Sequence, residues 1–89
     1  MTLQTESPAD TITVYSRAGC HLCELLVDAL LPLVRGQLRV DVVDIDSRPE
    51  WQEAYDTRIP VVEYDSNFVC QYTLDVAAIQ RILRERVIR

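Results

Sequence analysis

The sequence predicts one small α/β domain with the element order β-α-β-α-β-β-α, a mixed four-stranded sheet flanked by three helices. Three observations favour this class. Short β-prone runs alternate with segments of helical periodicity. Only a tight turn separates the last two β-prone runs. A chain of 89 residues, 48% of them hydrophobic, has the size of a single domain. We expect this domain to span residues 11–89, after a loose polar tail at residues 1–10.

The first strand and the first helix are predicted within residues 12–36. Residues 12–15 are β-prone, and the following loop interrupts them. A helical pattern begins at His21. Pro32 is expected to end or kink this helix, and Gly36 closes the segment. Apolar residues recur at intervals of three and four along the expected buried face: Leu22, Leu25, Leu26, Ala29, Leu30 and Leu33.

The second strand and the second helix follow in residues 38–55. Residues 38–45 contain valine and isoleucine between charged residues, which predicts a strand. Residues 47–50 have the pattern of a capping box, with proline in the first helical turn. A short helix through residues 51–55 is therefore expected.

The remaining chain predicts a hairpin and a final helix. Residues 59–64 and 68–71 are the two strands, and residues 65–67 are the turn between them. Thr73 is a candidate helix cap. The expected buried face of the final helix carries Val76, Ile79, Leu83 and Val87. Helical crossovers join the first three strands and predict a parallel pair, whereas the hairpin is antiparallel.

The charge of the chain argues against nucleic acid as a partner. The formal net charge is -5, and no basic face precedes the last helix. The basic residues near the C-terminus suit the negative end of a helix instead: Arg81, Arg84, Arg86 and Arg89. No apolar run approaches the ~18 residues of a membrane span, and no targeting signal is recognisable. We therefore expect a monomeric cytoplasmic protein that binds no membrane.

The Cys20-His21-Leu22-Cys23 motif is the strongest functional signal. In a reducing compartment, a close cysteine pair is more often catalytic, redox-sensing or metal-binding than structural. This pair follows a strand and opens a helix, at the sheet edge where α/β proteins place their sites. Cys20 should meet the positive helix end, which favours its thiolate, and Cys23 should be sheltered. We expect Cys20 to attack a disulfide and Cys23 to resolve the mixed disulfide.

Two residues near the cysteines have alternative interpretations. If protonated, His21 would favour the Cys20 thiolate, but it is equally consistent with a solvated, outward-facing side chain. Arg17 could stabilise the thiolate or hold a substrate carboxylate. The simpler alternative is one exposed arginine in a loop.

A zinc site is disfavoured, and we expect no bound metal. Four ligands are needed, and only Cys70 and His21 could add to the cysteine pair. His21 is poorly placed to share a metal with both cysteines that flank it. Cys70 is expected to be an accessory buried thiol. In the hairpin register, Tyr64 would face Asn67 and Val61 would pair with Cys70.

Residues 15–23 (YSRAGCHLC) and 58–60 (RIP) resemble the glutaredoxin branch of the thioredoxin superfamily. The similarity is greatest to small bacterial glutaredoxin-like proteins with a C-x-L-C site, and it runs from about residue 12 to residue 83. The resemblance implies a thioredoxin-like fold and a cis peptide bond before Pro60. The Ile59 backbone would then be free to pair with a bound thiol peptide. By the same resemblance, Arg17 is the basic residue of the family, Cys20 the nucleophile and Cys23 the resolving thiol.

One departure from that family concerns glutathione. Glutaredoxins carry a Gly-Gly pair and then acidic residues that hold glutathione, whereas residues 70–75 here read CQYTLD. Bulk replaces glycine where the backbone should approach the ligand, so we expect weak glutathione binding and no resident cofactor.

The expected function is thiol–disulfide exchange with a disulfide-containing protein or a thiol, using a reductase or glutathione as electron donor. The alternative is a binding or redox-sensing protein of the same fold that turns over no substrate.

Overall fold

The predicted order of elements is confirmed. A computed structural model describes residues 11–88, with side chains through residue 85, so the predicted N-terminal tail lies outside the described residues. The elements are β1 (Thr11–Ser16), α1 (His21–Val34), β2 (Arg39–Asp44), a 3-10 turn (Ile45–Ser47), α2 (Pro49–Tyr55), β3 (Val61–Tyr64), β4 (Asn67–Gln71) and α3 (Val76–Ile88). Among these helices, none is long and apolar enough to span a bilayer.

The four strands form one mixed sheet in the order β2-β1-β3-β4. β1 and β2 are parallel, as the helical crossover between them predicts. β3 runs antiparallel to β1, and β4 runs antiparallel to β3. The C-terminal end of β1 therefore lies beside the N-terminal end of β3, so the loop after β1 and the loop before β3 meet at the same end of the sheet.

The main core lies between one face of the sheet and the two longer helices. Ile12 and Val14 of β1 pack there with Leu26 and Leu30 of α1 and with Ile79 of α3. Each of these side chains is buried. Removing apolar surface from water in this way is the main driving force for docking the helices on the sheet.

The buried face of α1 differs from the predicted one. Leu22 and Leu25 are 49% and 51% exposed, and Ala29 is also exposed. The helix is apolar around most of its circumference, so periodicity fits more than one stripe. The sheet covers the stripe that starts one residue later, which consists of Cys23, Leu26, Leu30 and Val34.

Pro32 does not end α1, because the helix continues to Val34. Pro32 removes one backbone donor, whose normal acceptor would be the carbonyl of Asp28. Asp28 is exposed, so water can replace that donor. Gly36, two residues past the helix, has a φ of +78°, the left-handed conformation that glycine adopts most readily at a helix end.

Ser47 does not cap α2. Its hydroxyl instead donates a hydrogen bond of 2.6 Å to the Asp44 carbonyl within the 3-10 turn. Arg48 is the N-cap of α2 and uses no side-chain hydrogen bond, while Pro49 occupies the first helical position. Because the 3-10 turn includes Ser47, α2 starts one residue later than a capping box at residues 47–50 requires, and the box does not form.

Thr73 does not cap α3 either. The Asp75 carboxylate, which directly precedes the helix, accepts the Ala78 N–H at 3.1 Å. A carboxylate at this position also faces the positive end of the helix dipole, which makes it a favourable cap.

The hairpin begins in the predicted register and then departs from it. Tyr64 pairs with Asn67, but a bulge between Val62 and Glu63 shifts the ladder, so Cys70 pairs with Val62 rather than Val61. A bulge places two residues of one strand opposite one residue of the other, which explains the one-residue shift.

Candidate functional site

The cysteine pair lies at the junction of β1 and α1. After Ser16 the chain makes a turn in which the Cys20 N–H donates to the Arg17 carbonyl at 3.1 Å. Gly19 has a φ of +82°, which glycine adopts without the steric cost of a side chain. This turn aims the chain into α1, and Cys20 becomes the N-cap residue of the helix.

Cys20 and Cys23 are joined by a disulfide, with their Cα atoms 5.2 Å apart. The Cys23 N–H donates to Cys20 Sγ at 3.2 Å. This N–H is one of the first donors of α1, which have no partner within the helix. On reduction, the same donor and the positive helix end would stabilise a Cys20 thiolate.

The two sulfurs differ in access to solvent. Cys23 is 2% exposed, so the expected burial of this residue is confirmed, whereas Cys20 is only partly buried. An incoming thiol or disulfide can therefore reach Cys20 more readily than Cys23. This difference fits a pair in which one sulfur meets the partner and the other reacts within the protein.

Arg17 does not direct a free cation at the cysteines. Its guanidinium forms two 3.0 Å hydrogen bonds to the Asp46 carboxylate and lies 2.8 Å from Asp56 Oδ1. These hydrogen bonds raise the pKa of the Arg17 guanidinium, and the bond from Arg17 lowers the pKa of Asp46. Arg17 therefore connects the loop before Cys20 to the 3-10 turn and to the end of α2.

His21 faces solvent. Its side chain is 79% exposed, and its Nδ1 lies 3.8 Å from Glu24 Oε1 on the next turn of α1. Of the two interpretations of His21, this position matches the outward-facing side chain.

Pro60 lies beside the end of β1. The Ile59–Pro60 peptide bond is cis, the geometry that the resemblance implies, and Pro60 is buried. Val61, the next residue, pairs with Tyr15 near the end of β1. Among the backbone hydrogen bonds of loops and turns within residues 11–88, none has the Ile59 N–H as donor or the Ile59 carbonyl as acceptor.

Tyr72 occupies a backbone conformation that favours glycine. Its φ is +70°, in the left-handed region, directly after β4. The Tyr72 N–H donates to the Pro60 carbonyl at 2.8 Å, and its hydroxyl donates to the Thr57 carbonyl at 3.1 Å. The aromatic ring therefore extends from the loop after β4 to the segment that precedes Pro60.

Cys70 belongs to the core rather than to the surface of the site. It is 8% exposed, it is a free thiol, and it packs in the cluster that contains Leu30 and Ile79. Burial raises the pKa of the Cys70 thiol, partly opposed by a hydrogen bond from the Asp75 backbone. Across the sheet, Cys70 pairs with Val62, which pairs with Val14, so two strand spacings separate Cys70 from β1.

A cavity of about 240 Å3 opens directly beside the disulfide. It extends from Cys20 and Cys23 along the side of α1 towards the edge strand β2. The lining residues that the sequence predictions missed are Ser16, Glu24, Val27, Asp28 and Val42. The spacing of Glu24 and Asp28 by four residues was the available signal, because such residues share one face of a helix.

An aromatic cluster supports the other face of the sheet. The rings of Tyr15 and Tyr55 stack with centroids 4.2 Å apart, and Trp51 meets Tyr15 edge-on at 5.7 Å. Both tyrosine hydroxyls donate to Glu63, at 3.3 Å from Tyr15 and 3.0 Å from Tyr55. Burial and the neighbouring Glu63 carboxylate raise the pKa of both phenols. This cluster packs α2 on the strand that leads to Cys20.

Of the residues predicted for the site, Arg17, Cys20 and Cys23 line one cavity. Ile59 and Pro60 lie in the loop that enters β3, beside the end of β1. His21 points to solvent, and Cys70 lies in the core. Within residues 11–88, no group of three or more His, Cys, Asp or Glu side chains is arranged to hold a metal ion.

Comparison with known families identifies one matching family. Residues 11–84 match the model of a family described as Glutaredoxin-like domain (DUF836). No protein of curated function matches the sequence.

Several solved structures share the fold. Protein Ne2328 from Nitrosomonas europaea is 31% identical with a TM-score of 0.72, and the match covers 91% of this chain and 96% of that one. Protein XcR50 from X. campestris is 26% identical with a TM-score of 0.65, over 83% and 96% of the two chains. The holo form of glutaredoxin C1 from Populus tremula x tremuloides is 17% identical with a TM-score of 0.56, over 88% of each chain, which supports the fold alone.

Proposed function

The chain belongs to the glutaredoxin-like domain family (DUF836), and from that premise we propose that it is a thiol–disulfide oxidoreductase in which Cys20 and Cys23 form the redox pair. Family and fold support a redox function with thiol or disulfide partners in general. The observation that carries the specific proposal is the asymmetry of the pair. Cys20 caps α1 and is accessible, whereas Cys23 is buried one turn further along.

In the first step of the proposed reaction, the Cys20 thiolate of the reduced protein attacks one sulfur of a substrate disulfide. A new bond forms between Cys20 and that sulfur, the substrate S–S bond breaks, and the other substrate sulfur leaves as a thiolate that takes a proton from water. The Cys23 N–H at 3.2 Å from Cys20 Sγ stabilises the attacking thiolate.

In the second step, the deprotonated Cys23 sulfur attacks Cys20 Sγ in the mixed disulfide. The Cys20–Cys23 bond forms, and the remaining substrate sulfur leaves as a thiolate. Two electrons have then moved from the protein dithiol to the substrate, and the protein holds the disulfide of the present structure. Because Cys23 is 2% exposed, the resolving attack is shielded from competing thiols.

Regeneration requires an external thiol, because the chain contains no further redox pair among its three cysteines. We propose a dithiol reductase as the donor, in a cytoplasmic setting where the protein acts as a monomer. Glutathione is a less favourable donor. The Tyr72 ring, held to the Thr57 carbonyl, stands in the segment where glutaredoxins carry glycines that admit this ligand.

Positioning residues complete the proposed site. Ile59 would pair its backbone with the substrate strand, as an added strand does at a sheet edge. Arg17 would fix the loop that carries Cys20 through its bonds to Asp46 and Asp56.

Turnover of a neutral disulfide tests the proposal. Hydroxyethyl disulfide would be reduced by the protein with a thioredoxin-type reductase and NADPH, or with dithiothreitol as donor if the reductase does not recognise the protein. Wild type should turn over repeatedly. Cys20→Ser should add nothing to the rate measured without protein, and Cys23→Ser should accumulate a mixed disulfide on Cys20. Equal activity of wild type and Cys20→Ser contradicts the proposal. A pair that oxidises and reduces but transfers no electrons to any disulfide would favour the sensing alternative.

A further inference from the structure

The cavity beside the disulfide combines an apolar floor with an acidic wall. Val27 of α1 and Val42 of β2 line it together with the two cysteines, and Val42 is 48% exposed on an edge strand. Glu24 and Asp28 line it from successive turns of α1, and both are exposed. The cavity is therefore continuous with the sulfur that the proposed reaction uses.

The electrostatic balance of this cavity is negative. The one cation among its lining residues, Arg17, already contacts Asp46 and Asp56. Among the side chains described in residues 11–85, the ion pairs give Glu24 only the 3.8 Å contact with His21 and give Asp28 no cation, so the wall of the cavity stays acidic. A second copy of this chain, with a net charge of -5, is a poor occupant.

We propose that this cavity is a specificity subsite that receives a lysine or arginine side chain flanking the reactive cysteine of a polypeptide disulfide. The inference rests on the proposed function and names its substrate class. The aliphatic stem of the basic residue would lie on Val27 and Val42, and its charged head would reach Glu24 and Asp28. A long aliphatic stem that ends in a permanent positive charge matches both the apolar floor and the acidic wall. Anionic disulfides, including glutathione disulfide, would be repelled by the same carboxylates.

Symmetric disulfides of three short peptides test this subsite. In each peptide, one cysteine is flanked on both sides by lysine, by glutamate or by alanine. The rate at which the reduced protein is oxidised would be measured for each at low salt. Neighbouring charges also change the intrinsic reactivity of a disulfide, so each rate is divided by the rate of 2-mercaptoethanol with the same peptide. The normalised ratio of the lysine peptide to the neutral alanine peptide is the charge selectivity, and the glutamate peptide should fall below both.

Wild type should prefer the lysine peptide by about tenfold, from two carboxylates that each contribute about threefold, the factor for one charge pair about 6 Å apart in water. Glu24→Gln and Asp28→Asn should each lower the selectivity about threefold. The matched control is Asp41→Asn, which removes the same charge from β2. Its side chain lies on the opposite face of the sheet from Val42, because strand residues alternate. Salt at about 1 M should remove most of the preference, because the Debye length is then ~3 Å.

The inference is overturned if Glu24→Gln and Asp28→Asn change the charge selectivity no more than Asp41→Asn does. It is also overturned if the glutamate peptide reacts as fast as the lysine peptide. Reduction of the alanine peptide separates the two proposals. If that peptide is reduced and no charge selectivity exists, the subsite is wrong and the oxidoreductase stands. If no peptide is reduced, the proposed function fails and the subsite fails with it.

Discussion

Replacing Cys70 separates the packing of the fold from its redox chemistry. Cys70 is 8% exposed, and its sulfur packs in the core between β4 and the two long helices. Cys70→Ala removes one buried heavy atom. By analogy with a buried methylene, the lost transfer energy is ~0.8 kcal/mol, and the residual cavity adds to it. We expect a total loss of about 1–2 kcal/mol in the free energy of unfolding.

Cys70→Ser should destabilise the protein by a similar amount for a different reason. Burying a hydroxyl without a partner costs about 1–3 kcal/mol in protein mutational data. The Asp75 backbone, which acts to lower the pKa of the Cys70 thiol, is the nearby group that would moderate this cost. Each kcal/mol corresponds to about 4–8 °C in Tm for a domain of this size.

Urea unfolding of the oxidised proteins measures the loss, and the hydroxyethyl disulfide assay measures function on the same samples. Both variants should be less stable and retain at least half of wild-type turnover at a temperature where they are folded. A folded Cys70→Ala or Cys70→Ser protein without exchange activity would refute the accessory role of this thiol. An unfolding free energy within about 0.3 kcal/mol of wild type would refute its role in packing.

Two further predictions concern Tyr72 and the tyrosine cluster. Reduction of a small glutathionylated substrate by glutathione and its reductase should be weak or undetectable in wild type. Tyr72→Gly should increase this activity, because it removes the ring at a position whose backbone favours glycine. Robust wild-type activity would show that the ring does not hinder glutathione. Stability should fall as the pH rises above 10.0, the ordinary pKa of tyrosine, because Tyr15 and Tyr55 have raised pKa values in the fold and the unfolded chain releases those protons first. Urea midpoints between pH 9 and 11 measure this slope, and an unchanged slope in Tyr15→Phe would contradict the assignment.

The sequence was sufficient where the signal is local. The hairpin turn, whose residues Asp65 and Ser66 both adopt positive φ, was predicted from its polar residue types alone. The position of Cys20 at the helix start also follows from the change of periodicity at His21.

What the sequence did not predict depends on contacts between distant parts of the chain. Arg17 binds partners 29 positions away or further, and nothing in its neighbourhood signals them. The sequence could not predict which side of α1 is exposed, because Leu22 and Leu25 are as apolar as the residues that the sheet covers. The bulge that moves Cys70 opposite Val62 is a property of the assembled hairpin. Tertiary packing decided each of these cases.

Mapping the first alkylated thiol of the reduced protein tests the central claim most directly. With limiting iodoacetamide near neutral pH, followed by proteolysis and mass spectrometry, the adduct should form on Cys20, which meets the N–H donors of α1 and is accessible to solvent. Cys23 and Cys70 should be labelled later, because both are buried. Preferential labelling of Cys23 would contradict the assignment of Cys20 as the attacking thiol.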